Sequence, residues 1–491
     1  MSHAAPGTER PIGPADLDRL IALLREARVG GTFWAPPATA RESVVHAPRI
    51  SSPEREVDPW SLLGPGVRLV APREDEWVLV AALAGAEVEG IGGDELRPML
   101  ARALSNARYR DCFTGETVEA EQAVAILAGW RRTLDANRSI AVATGMAWWK
   151  RTAIERFFWT GRPRPLAFTD DAGAAIVQAK AAGGSVATWP SRTPAGLDEL
   201  TAREGVPLIA VEDGFIRSVG LGADLHPPLS IVADDGGIYY DPTRPSDLEA
   251  ILATADFPPA LLARAERLAE VITARGISKY GSAAPTSSDR RQNAARTVLV
   301  AGQVEDDASV RLGGGAVAGN LDLLRRARAA EPDARILFKP HPDVDAGHRR
   351  GRVPDAVLLE HADEIVRGEA MPTLLGRVDA VHVLTSLTGF EALLRRVEVT
   401  THGHPFFAGW GLTRDLAGPL ARRTRRLSLA ELVAGTLILY PRYLDPVTEL
   451  PCPPEVLLDR LAAGWRPPTS WLIRLRRLQG RIAKLFGTVS A

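Results

Sequence analysis

Cysteine is almost missing from this chain: of 491 residues only Cys112 and Cys452 are cysteine, and they lie far apart. That excludes a disulfide framework and a cysteine-rich metal site, and it suits a reducing compartment. Long apolar runs are missing as well. No uninterrupted apolar stretch reaches about 18 residues, so no segment reads as a bilayer span. The opening residues MSHAAPGTER hold no basic patch followed by an apolar core, and no secretory signal is read there. An excess of one charge is the third absence. Lys and Arg number 59 against 60 Asp and Glu, so the global charge names no polyanionic partner and no nucleic acid. Any electrostatic role rests on local clusters.

What is present describes a globular protein of two or three domains, 45% hydrophobic and 24% charged. Residues 1–60, rich in Pro, Ala, Arg and Glu, read as a loosely ordered arm. Residues 61–138 read as a small α/β segment, with a strand at Val67–Ala71 and a helix at Glu76–Ala84 that Gly85 stops. From Ser139 the pattern becomes regular. The runs Ile140–Ala143, Leu166–Phe168, Val186–Trp189 and Pro207–Val211 alternate with amphipathic stretches, which predicts a parallel sheet covered on both faces. Leu229–Ala233 and Ile238–Tyr240, around Asp234-Asp235-Gly236-Gly237, predict a hairpin. A long helix over about Pro259–Arg275 leads to a second alternating half. Its strands are expected at Thr297–Ala301, Arg335–Phe338, Ala380–Leu384 and Glu398–Thr401, with helices at Asn320–Ala330 and Leu387–Arg396 among them. The fold class is therefore α/β: two Rossmann-like domains, 139–290 and 291–466, with an interdomain cleft where ligands meet the carboxyl ends of strands. A short echo also occurs. Arg108-Tyr109-Arg110-Asp111 with Ala128-Gly129-Trp130-Arg131 matches Arg442-Tyr443-Leu444-Asp445 with Ala463-Gly464-Trp465-Arg466. It is either chance in Ala/Arg-rich sequence or the vestige of an upstream module.

Five segments carry candidate chemistry. In VEDGFIRSVGLG (211–222) Glu212 and Asp213 end an apolar run, and Arg217 and Ser218 follow. A carboxylate there can act as nucleophile or base, and Arg217 is a fork for a carboxylate or phosphate. Taken alone, the segment reads more readily as an ion pair bracing a turn. In AGQVEDDAS (301–309) Gln303 can face a phosphate or a base, while Asp306 and Asp307 read as helix capping rather than metal ligands. No metal site is expected. In FKPHPD (338–343) the prolines fix His341, which with Lys339 can neutralise a phosphate. In LTSLTGFEAL (384–393) Ser386 opens a phosphate-binding helix start, or is simply an N-cap, and Glu391 can reach a ribose. In GHPFFAGWGLTRD (403–415) the aromatics either stack on a base or plug the structure. The basic run Arg422-Arg423-Thr424-Arg425-Arg426 reads as a solvated face that would also serve an anionic acceptor. Finally, the tail beyond Asp459 holds seven Lys/Arg and no acid. Trp471, Leu475, Leu478, Ile482 and Leu485 share one helical face there, so 467–491 reads as a basic amphipathic helix for an anionic membrane surface, or as a terminal helix docked on the body.

Together these phrases, with GIYYDPTRPSDLEAIL, ISKYG and YPRYLDP, resemble the capsule polysaccharide β-Kdo glycosyltransferase family (KpsC/LipB-like) over about 139–466, as a single module. Gly281 departs from the family pattern, where Asn is expected. The resemblance implies a retaining transferase with a GT-B-like arrangement, its acceptor side at 139–290 and its CMP-sugar side at 291–466. It implies no cofactor beyond the donor substrate CMP-β-Kdo, and a lipid-linked Kdo acceptor in capsule assembly. Asp213 is then the catalytic nucleophile beside Glu212. Gln303, Lys339, His341, Ser386 and Glu391 hold CMP, and Arg217 and Ser218 hold the sugar carboxylate or the acceptor. Partners would be the glycolipid acceptor, the membrane surface and other capsule assembly proteins, at the inner face of the cytoplasmic membrane. The alternatives are a non-catalytic CMP-sugar-binding module and a transferase for another CMP-linked acid sugar.

Overall fold

The computed structural model describes residues 13–38, 42–48, 56–161, 165–216, 226–278, 281–282 and 296–466. The chain divides into two compact units: Met1–Ala141 with Ile154–Ala167 and Val447–Pro453, and Val142–Ala153 with Phe168–Pro446 and Pro454–Ala491.

The first unit corrects the loose arm expected over 1–60. Pro14–Ala27 is a helix with Asp16 in its first turn and Arg25 in its last, each favourable against the dipole. Leu17, Leu20, Ile21 and Leu24 recur at +3, +1 and +3, and all four are buried in the core of this unit. That period was visible in the sequence beneath a Pro- and Ala-rich composition. Strands β1 (Val44–His46), β2 (Arg68–Val70) and β3 (Glu87–Val88) pair in that order, all parallel. The helix Glu76–Ala84 starts where the Asp75 carboxylate accepts from Trp77 N at 2.9 Å, and it ends at Gly85 in the left-handed region, φ 79°. Asp58 and Arg131 form a buried ion pair at 2.9 Å, and burial outweighs Arg131 to push the Asp58 carboxyl up.

The second unit holds two sheets. The first takes the order β17-β8-β7-β6-β4-β5 from β4 (Ile140–Thr144), β5 (Ala167–Phe168), β6 (Ser185–Thr188), β7 (Leu208–Asp213), β8 (Ser230–Asp234) and β17 (Arg442–Leu444). It is mixed: β6 and β7 run parallel, while β8 is antiparallel to both β7 and β17. The expected hairpin is therefore corrected. Ile238–Tyr240 forms no strand, because Asp234 uses its carboxylate to turn the chain. It accepts from Gly237 N at 2.8 Å, Asp247 N at 3.0 Å and the Tyr440 hydroxyl at 2.6 Å. The chain then enters the helix Asp247–Thr254. The long helix Pro259–Ala274 follows, and a two-strand ladder of β9 (Ile277–Ser278) and β10 (Gly281–Ser282) comes next.

The second sheet is all parallel, in the order β13-β12-β11-β14-β15-β16. Its members are β11 (Thr297–Ala301), β12 (Arg335–Lys339), β13 (Glu364–Ile365), β14 (Ala380–Val383), β15 (Glu398–Thr401) and β16 (Arg414–Asp415). Near-continuous apolar runs such as Val298–Ala301 are what a strand buried on both faces requires. Leu323, Leu324 and Ala327 of the helix Asn320–Ala330 share a core with Val298, Val300, Ile336 and Phe338. Inside it, His382 on β14 and His402 after β15 hydrogen-bond ring to ring at 3.0 Å.

The basic run at 422–426 is corrected at Arg423, while Arg422, Thr424 and Arg426 stay exposed. Arg423 is buried, pairs with Glu249 at 2.9 Å, and donates to the carbonyls of Pro405 and Ala408. Arg422 holds the other Glu249 oxygen at 2.5 Å. The Glu249 carboxylate and the two carbonyls explain why the Arg423 side chain leaves solvent. The aromatic loop they support is a plug: Phe406, Phe407 and Trp410 are buried, and Trp410 Nε1 donates to Phe406 O at 2.9 Å.

Candidate active site

Strand ends of both sheets open on one cavity of about 1230 Å³ within the second unit. Parallel strands place their carboxyl ends on one side, and the chain leaves each through a polar turn that is free to face a ligand. Glu212 and Asp213 finish β7, Gln303 follows β11, Lys339 and His341 follow β12, and Ser386 and Glu391 follow β14. All seven line the cavity. Arg217 and Ser218 lie outside the described residues.

On the β7 side, Asp213 N donates to Glu212 Oε1 at 2.9 Å, which folds the Glu212 carboxylate back onto the main chain. Gly214 follows because no side chain fits there: a Cβ would overlap the Ser230 hydroxyl. That hydroxyl donates to Ile216 O and holds the turn. Phe215 packs against Tyr239 and Phe406, each with ring centroids 4.8 Å away. Tyr240 also lines the cavity. Burial, with Glu212, Asp307 and Asp241 nearby, pushes its phenol up, so it stays a proton donor.

Across the cavity, His341 caps the short helix Pro342–Asp345, accepting from Asp343 N through Nδ1 at 3.2 Å. The neutral ring consequently carries its proton on Nε2. Lys339 Nζ donates to Glu369 O at 2.7 Å, and burial lowers its ammonium from the ordinary lysine value. The Gln303 amide is engaged at both ends: Oε1 accepts from Thr385 N at 2.8 Å and Nε2 donates to Thr385 Oγ1 at 3.0 Å. Ser386 Oγ accepts from Thr388 N at 3.2 Å, which opens the helix Thr388–Leu394. Glu391, on that helix, is only 7% exposed yet reaches the cavity wall. Asp307 is an N-cap, accepting from Ser309 N at 3.0 Å, and Asp306 pairs with Arg349 at 3.2 Å.

The cation beside Asp213 was not anticipated. Lys150 lines the cavity, 8% exposed, with Nζ 3.1 Å from Asp213 Oδ1 and 3.3 Å from the centre of the Trp189 ring. Its signal in the sequence was faint: a lysine after Trp148-Trp149, six residues beyond β4.

A family model described as capsule polysaccharide biosynthesis protein matches residues 184–443, which hold the β7, β11, β12 and β14 turns of this cavity. The chain belongs to this family. Two solved structures of Thermosulfurimonas dismutans KpsC align with it. One is described as a β-Kdo 2,7 transferase (36% identity, TM-score 0.54), covering 66% of this chain and 99% of that one. The other is described as a β-Kdo 2,4 transferase (32% identity, TM-score 0.56), covering 66% and 98%. Among curated relatives, the capsule polysaccharide modification protein LipA of Neisseria meningitidis serogroup A is 41% identical over 355 residues, 72% of this chain and 50% of LipA. The lipopolysaccharide-processing protein LpsZ of Rhizobium meliloti is 40% identical over 328 residues, 62% of this chain and 70% of LpsZ. This family member thus spans about half the length of LipA. Among its described residues no helix is long and apolar enough to cross a membrane.

Proposed function

We propose that the cavity transfers β-Kdo from CMP-β-Kdo to a lipid-linked Kdo acceptor in capsule polysaccharide biosynthesis, with retention of configuration. The observation that carries this reading is one cavity with a paired acid at the end of β7 on one side and Lys339, His341, Ser386 and Glu391 on the other. In this reading the first sheet serves the acceptor and the second the donor, as two Rossmann-like halves of a GT-B-like arrangement. Asp213 attacks the anomeric carbon and forms a glycosyl ester. Glu212 holds the Asp213 backbone and lies within reach as a base for the acceptor hydroxyl. Lys339 and the Nε2 proton of His341 take the charge that grows on the departing phosphate. Ser386 and Glu391 hold the nucleoside, while Gln303 fixes the Thr385-Ser386 turn for them. Arg217 and Ser218 contribute to the sugar carboxylate. No metal or other cofactor takes part.

The test is incubation with CMP-Kdo generated in situ and a Kdo-terminated lipid. The wild-type chain should extend the lipid and give a covalent sugar adduct by intact mass. Asp213→Ala should lose the adduct and at least about 10³-fold of the rate. Equal transfer by both would overturn the mechanism.

A further inference from the structure

The cation beside Asp213 takes no part in the roles above. Lys150 is buried in the cavity wall against the Trp189 ring, and Asp213 lies 3.1 Å from its Nζ. A buried ammonium is costly without a countercharge, and an indole face offsets only part of that cost. In the resting site Asp213 is such a countercharge. In the covalent step, a bond forms from an Asp213 oxygen to the anomeric carbon. The bond from that carbon to the phosphate oxygen breaks, and its electron pair leaves with CMP. Asp213 is then an uncharged ester, so Lys150 loses that charge beside it. An aldose brings no replacement. A 2-ulosonic acid carries its carboxylate on the anomeric carbon itself, two bonds from the new ester oxygen.

We propose that Lys150 determines specificity for sugar acids, passing its ion pair from Asp213 to the anomeric carboxylate as the ester forms. The inference rests on the double-displacement reading just given. When the acceptor attacks, the aspartate is released as an anion and recovers its lysine.

The experiment uses the full chain and its Lys150→Met and Lys150→Arg variants. CMP lacks the sugar, so calorimetry with CMP should give affinities within about twofold for all three. Transfer from CMP-Kdo should fall at least about 100-fold in Lys150→Met and recover about tenfold or more in Lys150→Arg. The acceptor-free adduct should follow the same order. The wild-type chain supplies a measurement that does not depend on any variant folding. With the acceptor withheld, CMP-Kdo should load the adduct at least about tenfold faster than its methyl ester. Equal adduct rates, or a Lys150→Met variant that transfers like wild type, would overturn the role of Lys150 alone. A wild-type chain that neither transfers nor binds CMP would overturn the transferase reading, and this inference with it.

Discussion

At the scale of single residues, His341 does two jobs that can be pulled apart. Its Nδ1 accepts from Asp343 N and starts a helix, while in the proposed reaction its Nε2 proton turns to the departing phosphate. His341→Asn keeps an acceptor for the cap, and His341→Ala keeps neither function. Calorimetry should show both variants losing roughly ten- to a hundredfold in CMP affinity, the value of a hydrogen bond to a charged group. Thermal melts should show only His341→Ala destabilised, by about 1 kcal/mol for the missing cap. Loss of melting temperature in both would mean the cap, not the proton, is what matters. The acids and the Lys-Pro-His-Pro turn were legible as positions, because each directly follows or ends a bounded apolar run. Lys150 was not legible, since its meaning comes from Asp213, 63 positions away. The Gln303 amide shows the reverse: its position was visible, but its engagement by Thr385 was not.

At the scale of elements, four of the six strands of the parallel sheet were legible, and the two-residue edge strands β13 and β16 were not. β11 and β15 have the expected limits, because a strand buried on both faces is a bounded apolar run. Failures came where one polar side chain decided the path. Asp234 replaced a hairpin by a turn, and Glu249 drew Arg423 out of an otherwise solvated run. Arg423→Met is accordingly expected to cost about 3–5 kcal/mol, because it strands part of a buried acid and the carbonyls of Pro405 and Ala408. A urea midpoint unchanged from wild type would refute this. Gly389→Ala places a methyl 2.6 Å from the Phe407 ring and should cost about 1–3 kcal/mol by the same measurement. The buried histidine pair adds a pH dependence. Burial pushes both His382 and His402 down to about 4. Below about pH 6.5 the unfolded chain takes up protons that the folded core refuses. The stability these rings contribute is whole above that pH and is lost as pH falls toward 4, by about 3 kcal/mol per ring at most. Urea midpoints between pH 7.5 and 5 should fall more steeply for wild type than for a chain with His382→Leu and His402→Leu; matching slopes would discount the pair.

At the scale of the whole molecule, charge is balanced in number but not along the chain. Residues 467–491, which lie outside the described residues, hold five Lys/Arg and no acid, so of the net −1 the other 466 residues carry −6. An anionic bilayer therefore repels the body and attracts the tail, at about 1 kcal/mol for each basic side chain at the surface. We propose that this segment carries the family member to the membrane where a lipid-linked acceptor is found, its Trp471, Leu475, Leu478, Ile482 and Leu485 entering the interface. Electrostatic attraction of this kind is screened beyond about 8 Å at physiological salt, whereas apolar insertion is not. A chain ending at Arg466 should stay in solution with vesicles of anionic phospholipid that sediment the full chain, and it should still transfer Kdo to a short water-soluble acceptor. Raising salt should weaken the full chain's binding without abolishing it. Unchanged sedimentation of the shortened chain would place membrane attachment on the body instead, against its own net charge.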